Sequence, residues 1–159
     1  MSIEPYHPRH LDTIVDLSLR AWAPVFDSIQ QAMDPGVYGG FYPDHWSVSQ
    51  RQAIVDVCAS DDSTVWVAIE SDAVVGFAAV NLHADDRMGE IHMIAVDPDH
   101  QDRGIGSALT EFAMDWMRCA GMTIAMVETG NDAGHAPARY TYEKAGFRQW
   151  PVARYFKKL

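Results

Sequence analysis

The stretch Asp99–Leu109, DHQDRGIGSAL, sets two glycines one residue apart between a polar run and an apolar helical pattern, directly after the strand-like EIHMIAV. A strand, a polar turn with glycines and then a helix is a recipe for holding an anion. Glycine has no Cβ, so backbone N–H groups can approach oxygen atoms closely, and the free N–H groups and positive dipole end of the helix complete the cradle. The anion this favours is a phosphate. Two common phosphate binders are excluded by spacing: QDRGIGSAL lacks the lysine of GxxxxGK[ST] and the third glycine of GxGxxG. A nucleotide triphosphatase and a Rossmann dehydrogenase are therefore disfavoured. Just upstream, Glu90 and His92 stand two apart on one strand-like run, which places their side chains on the same face about 6–7 Å apart. A carboxylate beside an imidazole is equipment for moving a proton.

Periodicity predicts the elements that must position these groups. A short strand near Ile3–Tyr6 leads into an amphipathic helix through Leu11, Ile14, Val15, Leu17, Leu19 and Trp22 that should end near Pro24. Met33–Pro43, MDPGVYGGFYP, is aperiodic and carries three glycines, two prolines and three rings. It reads as a loop whose Tyr38, Phe41 and Tyr42 either wall an acceptor site or cover the core. A helix is expected over Asp44–Ala59, with Ile54, Val55 and Cys58 inward. STVWVAIE and AVVGFAAVNLH meet at SDA as an antiparallel hairpin, and MGEIHMIAV makes the next strand. Ile105, Ala108, Leu109, Phe112, Ala113, Trp116 and Met117 then recur at helical spacing up to Gly121. MTIAMVET is a further strand, Pro137 and Gly146 bracket a last helix, and FRQW and VARYFKK are expected to close the sheet. No repeat or linker divides the chain, so residues 1–159 read as a single domain.

Composition narrows the function classes. At 159 residues and 48% hydrophobic content, a core without staples is within reach. Twelve Lys and Arg against 22 Asp and Glu leave a net charge of −10, which argues against nucleic acid as a partner and suits a cationic or amine ligand, or simply solubility. Cys58 and Cys119 match no CxxC or zinc spacing and read as reduced core thiols of a cytosolic protein. No signal-peptide h-region opens the chain and no run of about 18 apolar residues occurs, so neither export nor a membrane partner is expected and the location reads as cytoplasmic. The histidines do not converge at metal spacing, and no metal is expected.

Two motifs carry a resemblance. Gln101–Gly106, QDRGIG, preceded by EIHMIAVDPDH, is similar to the Q/R-x-x-G-x-G/A signature of the GCN5-related N-acetyltransferases, the GNAT family. Ala138–Phe147, ARYTYEKAGF, resembles that family's A-R-x-x-Y-E-K-x-G-F helix and turn. With the order of elements, the resemblance covers nearly the whole chain. It implies an α/β (α+β) GNAT fold, a central mixed, mostly antiparallel sheet of about six to seven strands flanked by about four helices. It implies acetyl-CoA as cosubstrate, its pyrophosphate cradled by the main chain of Asp102, Arg103, Gly104, Ile105, Gly106 and Ser107, with the Gln101 and Arg103 side chains flanking that turn. Ile94, Ala95 and Val96 would pair with the pantetheine arm like an added strand, and Asn131 and Ala138 would meet the cofactor. Arg139 and Lys144 would reach towards its ribose phosphate or adenine end.

The same resemblance implies catalytic roles. Tyr142 matches the tyrosine that protonates the departing thiolate, and helix spacing sets it with Ala138 and Ala145, away from Tyr140. Glu90, eleven residues before Gln101, has the offset of a glutamate base on the fourth strand. His92 is an alternative base or relay, and water remains a third. A backbone N–H of Ile94 or its neighbour would meet the oxyanion. Apart from the resemblance, Asp85 and Asp86 before the Glu90 strand, with Asp27, Asp34 or Asp44, would attract a cationic acceptor, and His135 is close enough in sequence to the last helix to cap it. The activity implied is transfer of acetyl to a primary amine of a small polar or cationic molecule, an aminoglycoside-like antibiotic, a polyamine or an amino-acid derivative, by direct transfer in a ternary complex. A peptide or protein amine and a non-catalytic acyl-CoA-binding module are the other readings. VARYFKKL offers an edge for a homodimer.

Overall fold

The computed structural model describes residues 1–159. Its strands are β1 (Ser2–Pro5), β2 (Ser63–Glu70), β3 (Ala73–His83), β4 (Met88–Val96) and β5 (Ile124–Val127). Its helices are α1 (Leu11–Ala32), α2 (Pro35–Phe41), α3 (Trp46–Ala59), α4 (Ile105–Cys119) and α5 (Ala136–Lys144). The strands lie side by side in chain order, every neighbouring pair antiparallel except β4 and β5, which run parallel. The β2–β3 hairpin forms where Ser71 and Asp72 take φ of 49° and 63°, the positive-φ pair whose twist matches that of the flanking strands. Parallel pairing of β4 with β5 requires a crossover, and α4 supplies it.

Both faces of the sheet are covered. Ile14 and Leu17 of α1 and Ile54 of α3 pack on Val65, Val67 and Phe77 on one face. On the other, α4 presents Ile105, Leu109, Ala113 and Met117, a stripe at intervals of four, to Ala68, Val75, Ala78, Trp66, Val80 and Ile91. The sheet is thus fixed from both sides where the glycine turn leaves it.

Four expectations need correction. Helix α1 does not stop at Pro24 but continues to Ala32. Pro24 faces solvent, and Phe26 beyond it stacks on Trp46 at 4.4 Å, so packing outweighs the broken helical bond. Within the expected loop Met33–Pro43, residues Pro35–Phe41 form α2, because Asp34 Oδ1 accepts from the N–H groups of Gly36 (2.9 Å) and Val37 (3.1 Å) and Pro35 is preset for a first turn. The sheet has five strands and not six or seven: FRQW and VARYFKK form none. In VARYFKK one alternating face reads Val152, Arg154, Phe156 and the other Ala153, Tyr155, Lys157, so neither parity offers an unbroken apolar face to bury. Finally, Cys119 is exposed at the end of α4 and only Cys58 is partly buried, its thiol pushed up to about 11 by burial.

Candidate functional site

β4 is paired on both sides for only part of its length. Met88–Ile91 lie opposite Ile124–Val127 of β5, and beyond Ile91 the two parallel strands part. On the β3 side the ladder goes on, with one irregularity: Ala79 faces Met93 and Val80 faces Ile91, leaving His92 as the extra residue of a bulge. The main chain of Ile94, Ala95 and Val96 therefore keeps its β3 partner and lacks a neighbour on the other side. That open edge forms a slot beside β4.

The glycine turn follows at the end of the slot. Asp102 and Gly104 take φ of 59° and 81°, and Gly104 occupies the N-cap position of α4 with no side chain capping the helix. The first helical hydrogen bond at this end runs from the N–H of Ala108 to the carbonyl of Gly104 at 2.9 Å, so the N–H groups of Ile105, Gly106 and Ser107 have no helical acceptor. A Cβ on Gly106 would sit 3.7 Å from Val96 Cγ2, which puts the turn directly beside the slot. Gln101 Nε2 donates to the carbonyl of Val96 (3.1 Å) and Arg103 to that of Asp99 (3.3 Å), so both side chains brace the turn. Arg20 of α1 donates to both carboxylate oxygens of Asp97, at 2.8 and 3.2 Å, and Asp97 in turn accepts from the N–H of Asp99 at 2.9 Å. Burial pushes the Asp97 carboxyl up, but these hydrogen bonds outweigh it and hold the group below its usual value.

Helix α5 brings Tyr142 inward at 8% exposure and leaves Tyr140 at 68%. Burial alone pushes the Tyr142 hydroxyl up to about 12. Ala138 is half-buried on the same helix. Asn131 is exposed on the loop after β5, and that loop is pinned from two directions. Ser28 of α1 donates to Asp132 Oδ2 at 2.6 Å, and Arg139 donates to the carbonyls of Gly130 (2.6 Å) and Asp132 (2.8 Å). Arg139 is thus committed to the loop instead of reaching for a phosphate. His135 occupies the N-cap position of α5 without capping it, and its ring bonds to Asp132. Burial raises the Asp132 carboxyl, and the Ser28 and His135 bonds reverse this to a net lowering.

Glu90, with 19% of its side chain exposed, lies between two imidazoles: His83 Nε2 is 2.8 Å from Oε2 and His92 Nδ1 is 3.4 Å from Oε1. The expected Glu90–His92 neighbourhood is present, with the two side chains in direct contact. His83 was not among the sequence candidates. The signal lay in register, since an antiparallel β3–β4 pair sets His83 opposite Met88 and hence diagonal to Glu90. These side chains do not form a metal-binding group. Asp85 and Asp86 stand exposed on the short turn between β3 and β4.

The three rings of the expected acceptor wall stay near one another, Tyr42 lying 6.3 Å from Phe41, but they face different ways. Tyr42 packs on Phe26 (5.4 Å) and Tyr38 (5.0 Å), and burial raises its hydroxyl. Phe41 points outward at 49% exposure and meets Phe156 of the C-terminal segment edge-on at 5.2 Å. Phe156 lies in VARYFKK, where no spacing signal marks it as a partner of Phe41.

Comparison with known proteins adds the following. A family model described as the acetyltransferase (GNAT) family matches residues 26–147. A mycothiol acetyltransferase of Streptomyces coelicolor is 28% identical over 134 residues, which is 82% of this chain and 42% of that protein. The chain thus spans about two-fifths of the length of the curated relative it matches. Among solved structures, an apo aminoglycoside 6'-N-acetyltransferase from Acinetobacter haemolyticus superposes with a TM-score of 0.70 at 16% identity, covering 100% of this chain and 99% of that one. An aminoglycoside N-acetyltransferase in complex with the bisubstrate analogue CoA-S-monomethyl-acetylneamine gives 0.68 at 14% identity over 99% and 97% of the two chains.

Proposed function

This chain belongs to the acetyltransferase (GNAT) family, and from that premise we propose that it transfers an acetyl group from acetyl-CoA to a primary amine of a small polar or cationic molecule, directly within a ternary complex. The observation that carries this is the adjacency of the open β4 edge and the uncapped glycine turn, with Gly106 against Val96. A slot that offers strand hydrogen bonds and ends at free N–H groups fits an amide-bearing arm that ends in a pyrophosphate. Acetyl-CoA supplies the activated acyl group as a thioester. Ile94, Ala95 and Val96 hold its arm, and the turn from Gln101 to Ser107 holds its phosphates, with Asn131 and Ala138 at the flank.

The amine must lose a proton before it attacks, and Glu90 is the group assigned to take it, with His92 beside it. Tyr142 is assigned the opposite task. Its hydroxyl, pushed up to about 12, stays protonated throughout the neutral range and is a donor for the leaving sulfur. The backbone N–H of Ile94 serves the oxyanion. The net charge of −10 and the exposed Asp85 and Asp86 favour a cationic acceptor, and the aminoglycoside acetyltransferases that share the fold support an aminosugar amine. Tyr38, Phe41 and Tyr42 are assigned to the acceptor side, a reading supported by the 49% exposure of Phe41. Exposed Trp150, Val152 and Tyr155 support self-association through the C-terminal segment.

Thiol release from acetyl-CoA across aminoglycosides, polyamines, amino acids and basic peptides tests the reading, with Tyr142→Phe alongside. Release with one class, reduced at least tenfold in the variant (~1.4 kcal/mol) while acetyl-CoA affinity holds, is the expected result. Acetyl-CoA raising the melting temperature with no release from any amine would replace the transferase with a binding module.

A further inference from the structure

We infer that His83 is a positioning residue for Glu90, fixing one carboxylate oxygen so that the other is aimed at the acceptor amine. The inference rests on the acetyltransferase reading above. Three observations carry it. The carboxylate is held unequally, with Oε2 in a hydrogen bond of 2.8 Å to His83 Nε2 and Oε1 at 3.4 Å from His92 Nδ1. These two imidazoles are the only charged or chargeable groups of opposite sign within ion-pair distance of Glu90, on its own strand or on any element packed against β4. His83 ends β3, and a tight turn closed by Arg87 at φ 49° leads straight into β4, so the diagonal pair is set by backbone register.

An ionised carboxylate only accepts hydrogen bonds. His83 must therefore carry its proton on Nε2 and donate to Oε2, which fixes its tautomer and removes the rotation of the Glu90 carboxylate about its last bond. Oε1, loosely held, is the oxygen that receives the proton. In the step, the N–H bond of the acceptor ammonium breaks, its electron pair stays on nitrogen, and the proton forms a bond to Oε1, while the bond from Nε2–H to Oε2 persists. Neutral Gln at position 83 can still donate an N–H, whereas Ala cannot.

Turnover of acetyl-CoA with the fastest acceptor among kanamycin, spermidine and glucosamine is measured for wild type, His83→Ala, His83→Gln, Glu90→Gln and the His83→Ala/Glu90→Gln pair, each checked by melting temperature. His83→Ala should lower kcat about tenfold with KM for acetyl-CoA unchanged, His83→Gln should recover most of it, and His83→Ala should cost nothing further once Glu90 is Gln. Wild-type kcat in His83→Ala, together with a damaged Glu90→Gln, overturns the role of His83 and spares the base. Full activity in Glu90→Gln overturns the base and the positioning role together. Long-range 1H–15N spectra, which need no acceptor, should show Nε2–H at His83 in wild type; the Nδ1–H tautomer there would overturn the proposal.

Discussion

Tyr142 joins chemistry to stability in one hydroxyl. Its value is pushed from 10.0 up to about 12 by burial alone, so above pH 10 the unfolded chain gives up this proton before the folded one does. The unfolded state then binds fewer protons, and stability falls as pH rises. The contribution is fully present below pH 10, is lost on the way to pH 12, and amounts to about 2–3 kcal/mol. Urea midpoints measured from pH 9 to 12 should therefore drop more steeply for wild type than for Tyr142→Phe, and parallel curves would show that the hydroxyl is not held in a dry site. The inward face of Tyr142 and the place of Glu90 on β4 were legible in the sequence because each sits at a fixed offset from a local pattern. His83 was not, because its relation to Glu90 exists only across a strand pair whose register is set by the turn closed at Arg87. Phe156 was illegible for a similar reason, its partner Phe41 lying more than a hundred residues away.

At the scale of elements, two glycines separate packing from binding. Gly89 on β4 lies so close to Met117 of α4 that an added Cβ would overlap its side chain, whereas at Gly106 there is ordinary space beside Val96. Gly89→Ala should cost about 1–3 kcal/mol of stability and leave acetyl-CoA binding in the folded protein intact. Gly106→Asp should leave stability nearly unchanged and abolish binding, because it adds a negative charge where the free N–H groups gather. Denaturant melts paired with titration calorimetry read both quantities, and a Gly106→Asp variant that still binds would detach the turn from the cofactor. The helices and strands around this turn were readable because their periods are long and uninterrupted. Errors fell where one residue type carries two meanings. Pro24 stops a helix unless its far half is held elsewhere, as Phe26 and Ser28 hold it here. Glycine-rich Met33–Pro43 hides a helix that an Asp cap and a first-turn proline start.

The whole molecule carries an acidic excess, and it is unevenly spread. Arg148, Arg154, Lys157 and Lys158 fall in the final segment, which has no acidic residue, and Arg154 reaches Glu128 just beyond β5 at 3.0 Å. A field of this sign draws in cations at a distance and is damped by salt. For a polycationic acceptor, kcat/KM should fall several-fold between about 20 and 200 mM salt, where the screening length shrinks from roughly 20 to 7 Å. A monoamine of low charge should show little change; equal salt dependence for both would place the effect on acetyl-CoA. The parting of β4 from β5 also gives this chain an isotopic clock. Amides of β4 that point away from β3 beyond Ile91 lack the neighbour that protects the earlier ones, so in deuterated water one strand should exchange at two speeds. Filling the slot would merge them, and the order in which those amides slow would record how a guest enters, from the glycine turn inwards or from the mouth.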